Sequence, residues 1–524
     1  MADKETLLKR HFGHEAFRPG QEKLIDALLS GRDALGIMPT GGGKSLCYQI
    51  PGMLLPGITL VISPLISLMK DQVAQLREAG VPAAFLNSSL SSGQQALALS
   101  RARQGRYKII YVAPERLDSC EFSELALARD ISLLAVDEAH CVSQWGQDFR
   151  PSYLKIRDFV AALPRRPVIA ALTATATARV REDMAGLLGL DKPLEVVTGF
   201  DRPNLRFEVR EPREKTEALL ALVAQRPEKS GIVYCATRAN VEKVCDALTS
   251  RGIPATRYHA GLSAEERRIN QEAFQHDRKA VMVATNAFGM GIDKSNVGYV
   301  IHYNMPRNLE SYYQEAGRAG RDGSRADCIL LYAKQDVVLG RWMIDHAEVN
   351  PDMTAEQRAA VRESELERLK LMTWYATGRK CLRHTVLAYF GESSGKHCGN
   401  CSVCCGVSPL GMREKPVTPV SAREEPLFAA LRLLRNTIAK SLKVPAYVVL
   451  TDASLRDMAV RKPHDMAAFL QVSGVGEVKC SRFGPAFLRY LSMLDGQDIA
   501  GLQLTELAQE AAALVGRGKA GTGA

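Results

Sequence analysis

Apolar residues fall in short unbroken runs through the first part of the chain, each followed by a longer stretch with helical spacing. From Ala34 to about Leu190 the runs are Leu35–Met38, Thr59–Ile62, Lys108–Val112, Leu133–Val136 and Val168–Leu172. A half-exposed strand would alternate apolar and polar positions. Runs that stay apolar belong to strands buried on both faces, as in parallel sheets covered by helices. A second series follows: Gly231–Tyr234, Ala255–Tyr258, Ala280–Ala284, Tyr299–His302 and Cys328–Tyr332. The pattern predicts two α/β domains in tandem, joined near Asp201–Glu208.

From about Trp342 to Tyr389 the spacing is helical, and it runs into a cysteine cluster ending at Cys405. Gly406–Glu425 is rich in proline and charge and reads as a linker. Leu427, Phe428, Leu431, Leu434 and Ile438 repeat at helical spacing and predict a small all-α domain. The Gly- and Ala-rich end beyond Val515 predicts disorder. The expected organisation is therefore 1–203 and 204–338 for the α/β domains, 339–405 for a helical cysteine-bearing subdomain and 406–425 for the linker. The small helical domain takes 426–495 and a partly disordered tail 496–524. A chain of 524 residues is too long for one core, which agrees with several domains.

No apolar run approaches the ~18 residues of a membrane span. Met1 to Arg10 is charged and lacks a signal-peptide core, so a cytoplasmic protein without membrane contact is expected. The formal net charge of +10 fits a polyanionic partner or a merely basic enzyme, and charge alone does not choose. Of the twelve cysteines, Cys47, Cys235 and Cys328 sit inside apolar runs, as reduced thiols do. Four others differ: Cys381 is followed after 16 residues by Cys398-x2-Cys401-x2-Cys404. That spacing favours a closed tetrahedral Zn²⁺ site of structural type, with an iron–sulfur cluster as the alternative and His397 and Cys405 as adjacent spare ligands.

Met38-Pro39-Thr40-Gly41-Gly42-Gly43-Lys44-Ser45 follows a predicted strand and opens a helix. Gly41, Gly42 and Gly43 let backbone N–H groups turn inward around phosphates, Lys44 can reach the β- and γ-phosphates, and the Ser45 hydroxyl can ligate Mg²⁺. The strict phosphate-loop pattern has glycine where Met38 stands, and a chance Gly-rich turn is the bland alternative. A buried strand ending in Asp137-Glu138-Ala139-His140 supplies what such a loop lacks. Asp137 can hold Mg²⁺ through water, and Glu138 can polarise the attacking water. In the second half, Gln314-Glu315-Ala316-Gly317-Arg318-Ala319-Gly320-Arg321 puts two guanidinium groups three residues apart, where they can reach a γ-phosphate across a cleft. Val142–Pro151 follows closely on Glu138 and carries Trp145, Phe149 and Arg150, which suit base stacking or a plain core.

With these motifs in order, the chain resembles the RecQ family of DNA helicases within the second helicase superfamily, from about Leu8 to Leu494. The likeness includes Phe12–Gln21, Ser63–Gln72, Ala113–Arg116, Leu172–Ala176 and Val283–Asp293. It implies two RecA-like domains, ATP, Mg²⁺ and Zn²⁺, and 3′→5′ travel on single-stranded DNA. It also implies unwinding in repair and recombination, tailed duplex substrates, and partners such as single-strand-binding protein. By the same likeness Arg18 and Gln21 grip adenine, His14 stands where an aromatic ring usually stacks, and Trp145, Phe149 and Arg150 form the aromatic-rich loop, with Gln147 in place of the family's histidine. The four cysteines match the family's zinc cluster. Residues 406–425 are too few for the winged-helix domain of fuller members, which needs about 80–100 residues. Residues 427–494 resemble the Helicase-and-RNase-D C-terminal (HRDC) domain, carried by Val444–Val449 and Val472–Gly476. There Gly474 and Gly476 suit a turn near phosphate beside Lys479 and Arg482, and Tyr447 suits either single-strand contact or packing. The expected function is an ATP-dependent DNA helicase. The alternatives are a single-strand translocase with weak unwinding and an ATP-gated nucleic-acid clamp.

Overall fold

The computed structural model describes residues 3–145, 149–288, 294–347, 354–406, 425–442 and 444–494. Gln147, Gly289–Asp293, nearly all of the expected linker and the tail lie outside the described residues.

The first lobe is built on a seven-stranded sheet in the order β3-β4-β2-β5-β6-β1-β7. Its strands are β1 Ala34–Ile37, β2 Ile58–Ile62, β3 Ala83–Leu86, β4 Ile109–Val112, β5 Ile131–Val136, β6 Val168–Thr173 and β7 Leu194–Val197. Every pairing is parallel. The second lobe has a six-stranded parallel sheet in the order β10-β11-β9-β12-β13-β8. Its strands are β8 Leu205–Arg210, β9 Ser230–Tyr234, β10 Ala255–Tyr258, β11 Val281–Ala284, β12 Val297–His302 and β13 Ala326–Leu331. The apolar runs read from sequence are the buried strands of these sheets. β7 and β8 lie at sheet edges, where no strand pairs on one side and charges such as Glu195, Arg206 and Arg210 are tolerated. The expected joint therefore ends early, because Leu205 already pairs with Ala326 in the second sheet.

The order of the first sheet sets β5, β6 and β1 side by side. In an open parallel sheet, loops leaving the carboxyl ends of neighbouring strands converge on one crevice. Met38 after β1, Thr173 at the end of β6 and Asp137 after β5 thus share one end of the sheet. The Met38 N–H donates to the Thr173 carbonyl at 3.0 Å and the Asp137 N–H to that of Ile62 at 2.9 Å.

Helices Lys334–Asp345, Ala355–Thr377 and Leu382–Tyr389 follow the second lobe. They lead to the cysteine cluster, which is pinned to β8 where the Ser402 N–H donates to the Phe207 carbonyl at 3.0 Å. The C-terminal helical domain comprises Glu425–Leu442, Ala446–Val449, Asp452–Arg461, Met466–Leu470 and Glu477–Leu494. It buries its own core, with Leu431, Leu434, Ile438, Leu455, Phe469 and Phe487 at the centre. No helix among the described residues is long and apolar enough to cross a membrane.

Candidate nucleotide, metal and nucleic-acid sites

Gly41 and Gly43 adopt φ of +82° and +78°, a region that side chains disfavour. A Cβ at Gly43 would also stand 2.4 Å from Gln21 Nε2. Gly43 leads into helix Lys44–Leu54, whose N-terminus carries no side-chain cap, an end that suits a phosphate. The Lys44 ammonium donates to the Met38 carbonyl at 3.1 Å, folded across the mouth of the loop. Burial pulls its pKa down, the charges of Glu138 and Asp137 oppose that, and Arg321 adds to it. Ser45 follows in the first turn of the helix.

The Phe12–Gln21 element interlocks with this loop. Gln21 Nε2 donates to the Gly43 carbonyl at 2.9 Å, while its Oε1 accepts the Arg18 N–H at 2.8 Å. The Arg18 guanidinium donates to the Gly41 carbonyl. His14 is half-buried beside them. Its pKa is lowered by burial and by the charges of Arg18 and Lys479.

Asp137 is buried at the end of β5. Burial and the neighbouring Glu138 charge hold its carboxyl well above the usual carboxylate range, against the pull of Lys44. Its Oδ1 accepts the Glu138 N–H at 3.0 Å, which ties the two acids together. Glu138 has φ +47°, a strained conformation for a residue with a Cβ and one that clusters at functional sites. Its carboxylate lies 3.3 Å from His140 Nδ1, which in turn lies 2.6 Å from Thr173 Oγ1. Two adjoining acids, one of them buried, form a place where a divalent cation would offset charge, so the donor set suits Mg²⁺.

Of the two second-lobe arginines, Arg321 meets this loop, while Arg318 is bonded to Tyr234 of its own lobe. Arg318 is 4% exposed and Arg321 is half-buried. A Cβ at Gly41 would meet Arg321 Cγ at 3.6 Å, and one at Gly317 would meet Thr40 Cβ at 3.6 Å. A further tie between the lobes runs from Gln275 Nε2 to the Asp71 carboxylate at 3.0 Å. Two residues that sequence reasoning missed hold the arginine turn. Arg202 donates to the carbonyls of Gly317, Ala319 and Gly320 at 2.6, 2.9 and 2.6 Å. Asn204 Nδ2 donates to those of Gly320 and Ser324, each at 2.9 Å. The polar Arg202-Pro203-Asn204 sequence in the joint was their one available signal.

Trp145, Phe149 and Arg150 are each half-buried. The Arg179 guanidinium lies 3.4 Å over the Trp145 ring, and Arg368, from the helical subdomain, donates to the Trp145 carbonyl at 3.1 Å. Arg150 donates to the Pro64 carbonyl at 3.2 Å and so joins this loop to the Ser63–Gln72 segment. The C-terminal domain places its candidate residues against the two lobes. Tyr447 is 8% exposed and lines a crevice with Gln275, Asp277, Lys294 and Arg435, the packing arrangement of its two alternatives. The 473–476 turn does not present a free phosphate cradle. It packs on Gly13, with the Gly474 N–H donating to the Gly13 carbonyl at 3.0 Å.

The Sγ atoms of Cys381, Cys398, Cys401 and Cys404 all lie within 4.8 Å of one another, with Cys401 and Cys381 at 3.9 Å. Thiolates about 2.3 Å from a tetrahedral ion stand roughly 3.8 Å apart, so the cluster fits Zn²⁺. Backbone N–H groups of Asn400 and Cys404 donate to the sulfurs of Cys398 and Cys401, both at 3.4 Å. His397 Nδ1 lies 3.8 Å from Cys404 Sγ, while Cys405 Sγ is directed to the Gly399 carbonyl at 3.5 Å.

Family models match the chain in sequence order. They are a DEAD/DEAH box helicase at residues 18–184, a helicase conserved C-terminal domain at 214–323, RecQ zinc-binding at 334–405 and an HRDC domain at 424–491. The ATP-dependent DNA helicase RecQ of Bacillus subtilis is 37% identical, over 93% of this chain and 98% of the relative. That of Pasteurella multocida is 35% identical, over 93% of each. Among solved structures, S. cerevisiae Dbp5 bound to RNA and ADP BeF3 superposes with a TM-score of 0.53 at 18% identity, over 70% of this chain and 98% of that one. Mycobacterium smegmatis helicase Lhr bound to ssDNA and AMP-PNP gives 0.51 at 18%, over 69% and 56%. At such identities these two structures speak for the two-lobed fold alone. Relatives matched along nearly their whole length, together with the zinc-binding segment, place the chain in the RecQ family of ATP-dependent DNA helicases.

Proposed function

We propose that ATP is hydrolysed between the two lobes and that their closing and opening drives 3′→5′ movement along single-stranded DNA, with duplex separation in repair and recombination. The observation that carries this reading is the approach of Arg321 to the loop bearing Lys44. Gln21 and Arg18 hold the base side, the N–H groups after Gly41, Gly42 and Gly43 bind phosphate, and Lys44 offsets its charge. Bound Mg²⁺, held by Ser45 and Asp137, would supply charge neutralisation at the phosphates. Glu138 takes the proton of the attacking water, with His140 and Thr173 fixing its carboxylate. The two arginines stabilise the charge that develops in the transition state, a contribution of roughly 10³–10⁵ in rate for such residues. Trp145, Phe149 and Arg150 sense bases, and Pro64 links that loop to the backbone-gripping segment. Tailed duplexes are the substrates and single-strand-binding protein a partner, inside the cytoplasm.

A second reading, a translocase that opens duplexes weakly, is favoured by one observation. The zinc-binding and HRDC matches are separated only by residues 406–423. The Bacillus subtilis alignment extends over 585 positions, more than the 524 residues of this chain, so the relative carries residues without a counterpart here. Hydrolysis with and without single-stranded DNA, run beside displacement from a 3′-tailed duplex, separates the readings. Stimulated hydrolysis without displacement selects the translocase. Activity that survives Lys44→Ala sinks both.

A further inference from the structure

The C-terminal HRDC domain does not stand apart from the motor; it is bonded to both lobes at the mouth of the nucleotide crevice. On the first lobe its 473–476 turn meets the base-gripping element backbone to backbone. A Cβ at Gly13 would fall 2.4 Å from the Val475 carbonyl carbon, and one at Gly476 would fall 2.7 Å from the Arg10 carbonyl oxygen. Arg482 pairs with Glu78, and Arg10 with Glu477 at 3.3 Å. On the second lobe, Arg456 pairs at 3.1 Å with Asp322, the residue directly after Arg321. The Asp322 carboxylate is 1% exposed, and its other oxygen caps the turn by accepting the Ser324 N–H at 3.0 Å. Farther along the same face, Lys294 and Asp277 of the second lobe pair at 2.5 Å beside Arg435 and Asp452 of the HRDC domain, which also pair. Four charges of balanced sign therefore meet where the domain docks on the second lobe, with Lys294, Arg435 and Asp452 buried and Asp277 partly so.

We infer that the HRDC domain is a positioning clamp for the ATPase site, holding the base-gripping element of the first lobe and the arginine turn of the second in their closed relation. This rests on the proposed interlobe site. Nucleotide exchange needs the lobes to part, and a body bonded to both adds its contacts to the closed form alone. Arg456 acts through Asp322 on the turn that carries Arg321, and Arg482 acts through Glu78 on the helix beside Gly13. Both are positioning residues and neither reaches the phosphates. The clamp sets how tightly nucleotide is held and leaves the hydrolytic step to the lobes.

The test uses the full chain with Arg456→Ala, Arg482→Ala and the double variant, at low salt and with saturating single-stranded DNA. The KM for ATP rises about three- to tenfold in the double variant while kcat is held or increases. Arg456→Lys recovers most of the affinity, and the exchange of Arg482→Glu with Glu78→Arg restores its own arm. Small-angle scattering reads the clamp without turnover, and the double variant expands relative to the parent. A KM and a scattering profile both equal to the parent's overturn the inference. A parent that hydrolyses no ATP would sink the proposed site, while the scattering comparison still decides the clamp.

Discussion

Arg202 donates at 2.6 Å to the carbonyl of Gly320, the residue immediately before Arg321, so the joint between the lobes itself holds the arginine turn. Three carbonyls converge on this one buried guanidinium, and Gly320 is held at φ +57° with no space for a side chain beside Asn204. Removing the guanidinium leaves buried acceptors without a donor, at about 1–3 kcal/mol each. Arg202→Ala is expected to lower kcat for ATP hydrolysis more than tenfold and to lower the melting temperature. Arg202→Lys recovers one of three bonds and so only part of each. Steady-state kinetics beside a thermal melt check this, and an Arg202→Ala protein with parental kcat would refute it.

Glu138 is strained in the left-handed region and lies 3.3 Å from His140, a geometry with no packing benefit to explain it. Glu138→Gln keeps the shape and loses the base. The expected result is a fall of roughly 10²–10⁴ in kcat with ATP still bound, since general-base groups contribute about that factor. A fluorescent nucleotide titration beside a hydrolysis assay makes the comparison.

The phosphate loop and the acid pair were legible because they are written in contiguous segments. Lys44 follows its glycines, and Asp137 and Glu138 terminate an apolar run, so local pattern fixes where each stands in the fold. Of the four edge strands only β10 was legible; β3 is a short Ala-Ala-Phe-Leu run that the apolar series leaves out, and β7 and β8 carry charge. β7 carries Glu195, and β8 alternates Leu205, Phe207 and Val209 with charged residues, so neither shows the unbroken run of an interior strand. Arg202 and Asn204 could not be assigned either, because their partners lie more than a hundred residues away in the chain. The place of Tyr447 against the second lobe was hidden for the same reason. A surface buried between domains has no periodicity that marks it, and the tyrosine side chain suits packing as well as stacking.

The cysteine cluster leads to a prediction about assembly. Ser402, between two of the ligands, is bonded to Phe207 of β8, and Asn400 Nδ2 reaches the Leu205 carbonyl at 3.3 Å. Losing the metal should therefore unsettle the edge of the second lobe as well as the knuckle. Apparent zinc binding in such sites supplies about 10–16 kcal/mol. One zinc per chain is expected by elemental analysis. Cys401→Ser should lose it together with much of the thermal stability, whereas Cys405→Ser should keep both.

Lys479 sits in the docked HRDC interface, and burial pushes its pKa down to about 8, with Glu78 opposing. Between that value and its ordinary one near 10.5, the folded chain holds fewer protons than the unfolded chain. Stability on this account rises as pH climbs from 8 towards 10.5, and the full cost is felt below 8. Lys479→Met is expected to stabilise the protein by about 1–2 kcal/mol near neutral pH, discounted for the partly exposed stem. That gain should shrink steadily above pH 8. Melts of parent and variant across this range give the answer, and a gain that grows with pH would contradict the assignment.

Trp145 has its ring face covered by Arg179 at 3.4 Å, so a base can stack there only by displacing the guanidinium. A base on an aromatic face contributes about 1–3 kcal/mol, and a cation in that position about 0.5–2, so the two compete on comparable terms. Arg179 begins close to the start of helix Ala178–Leu187, whose Asp183 holds Ser143 at 2.6 Å, and Ser143 in turn accepts the Trp145 N–H at 3.1 Å. Displacing Arg179 therefore disturbs a segment five residues from Glu138, which is a physical route from base to catalytic acid. Trp145→Ala should bring the DNA-stimulated rate down towards the rate without DNA. Arg179→Ala should uncover the ring, tighten single-strand binding several-fold and deepen the quenching of tryptophan fluorescence by DNA. If Arg179→Ala left affinity, quenching and stimulated rate all at parental values, ring and base would not compete, and the sensing path would have to run through Phe149 and Arg150 instead.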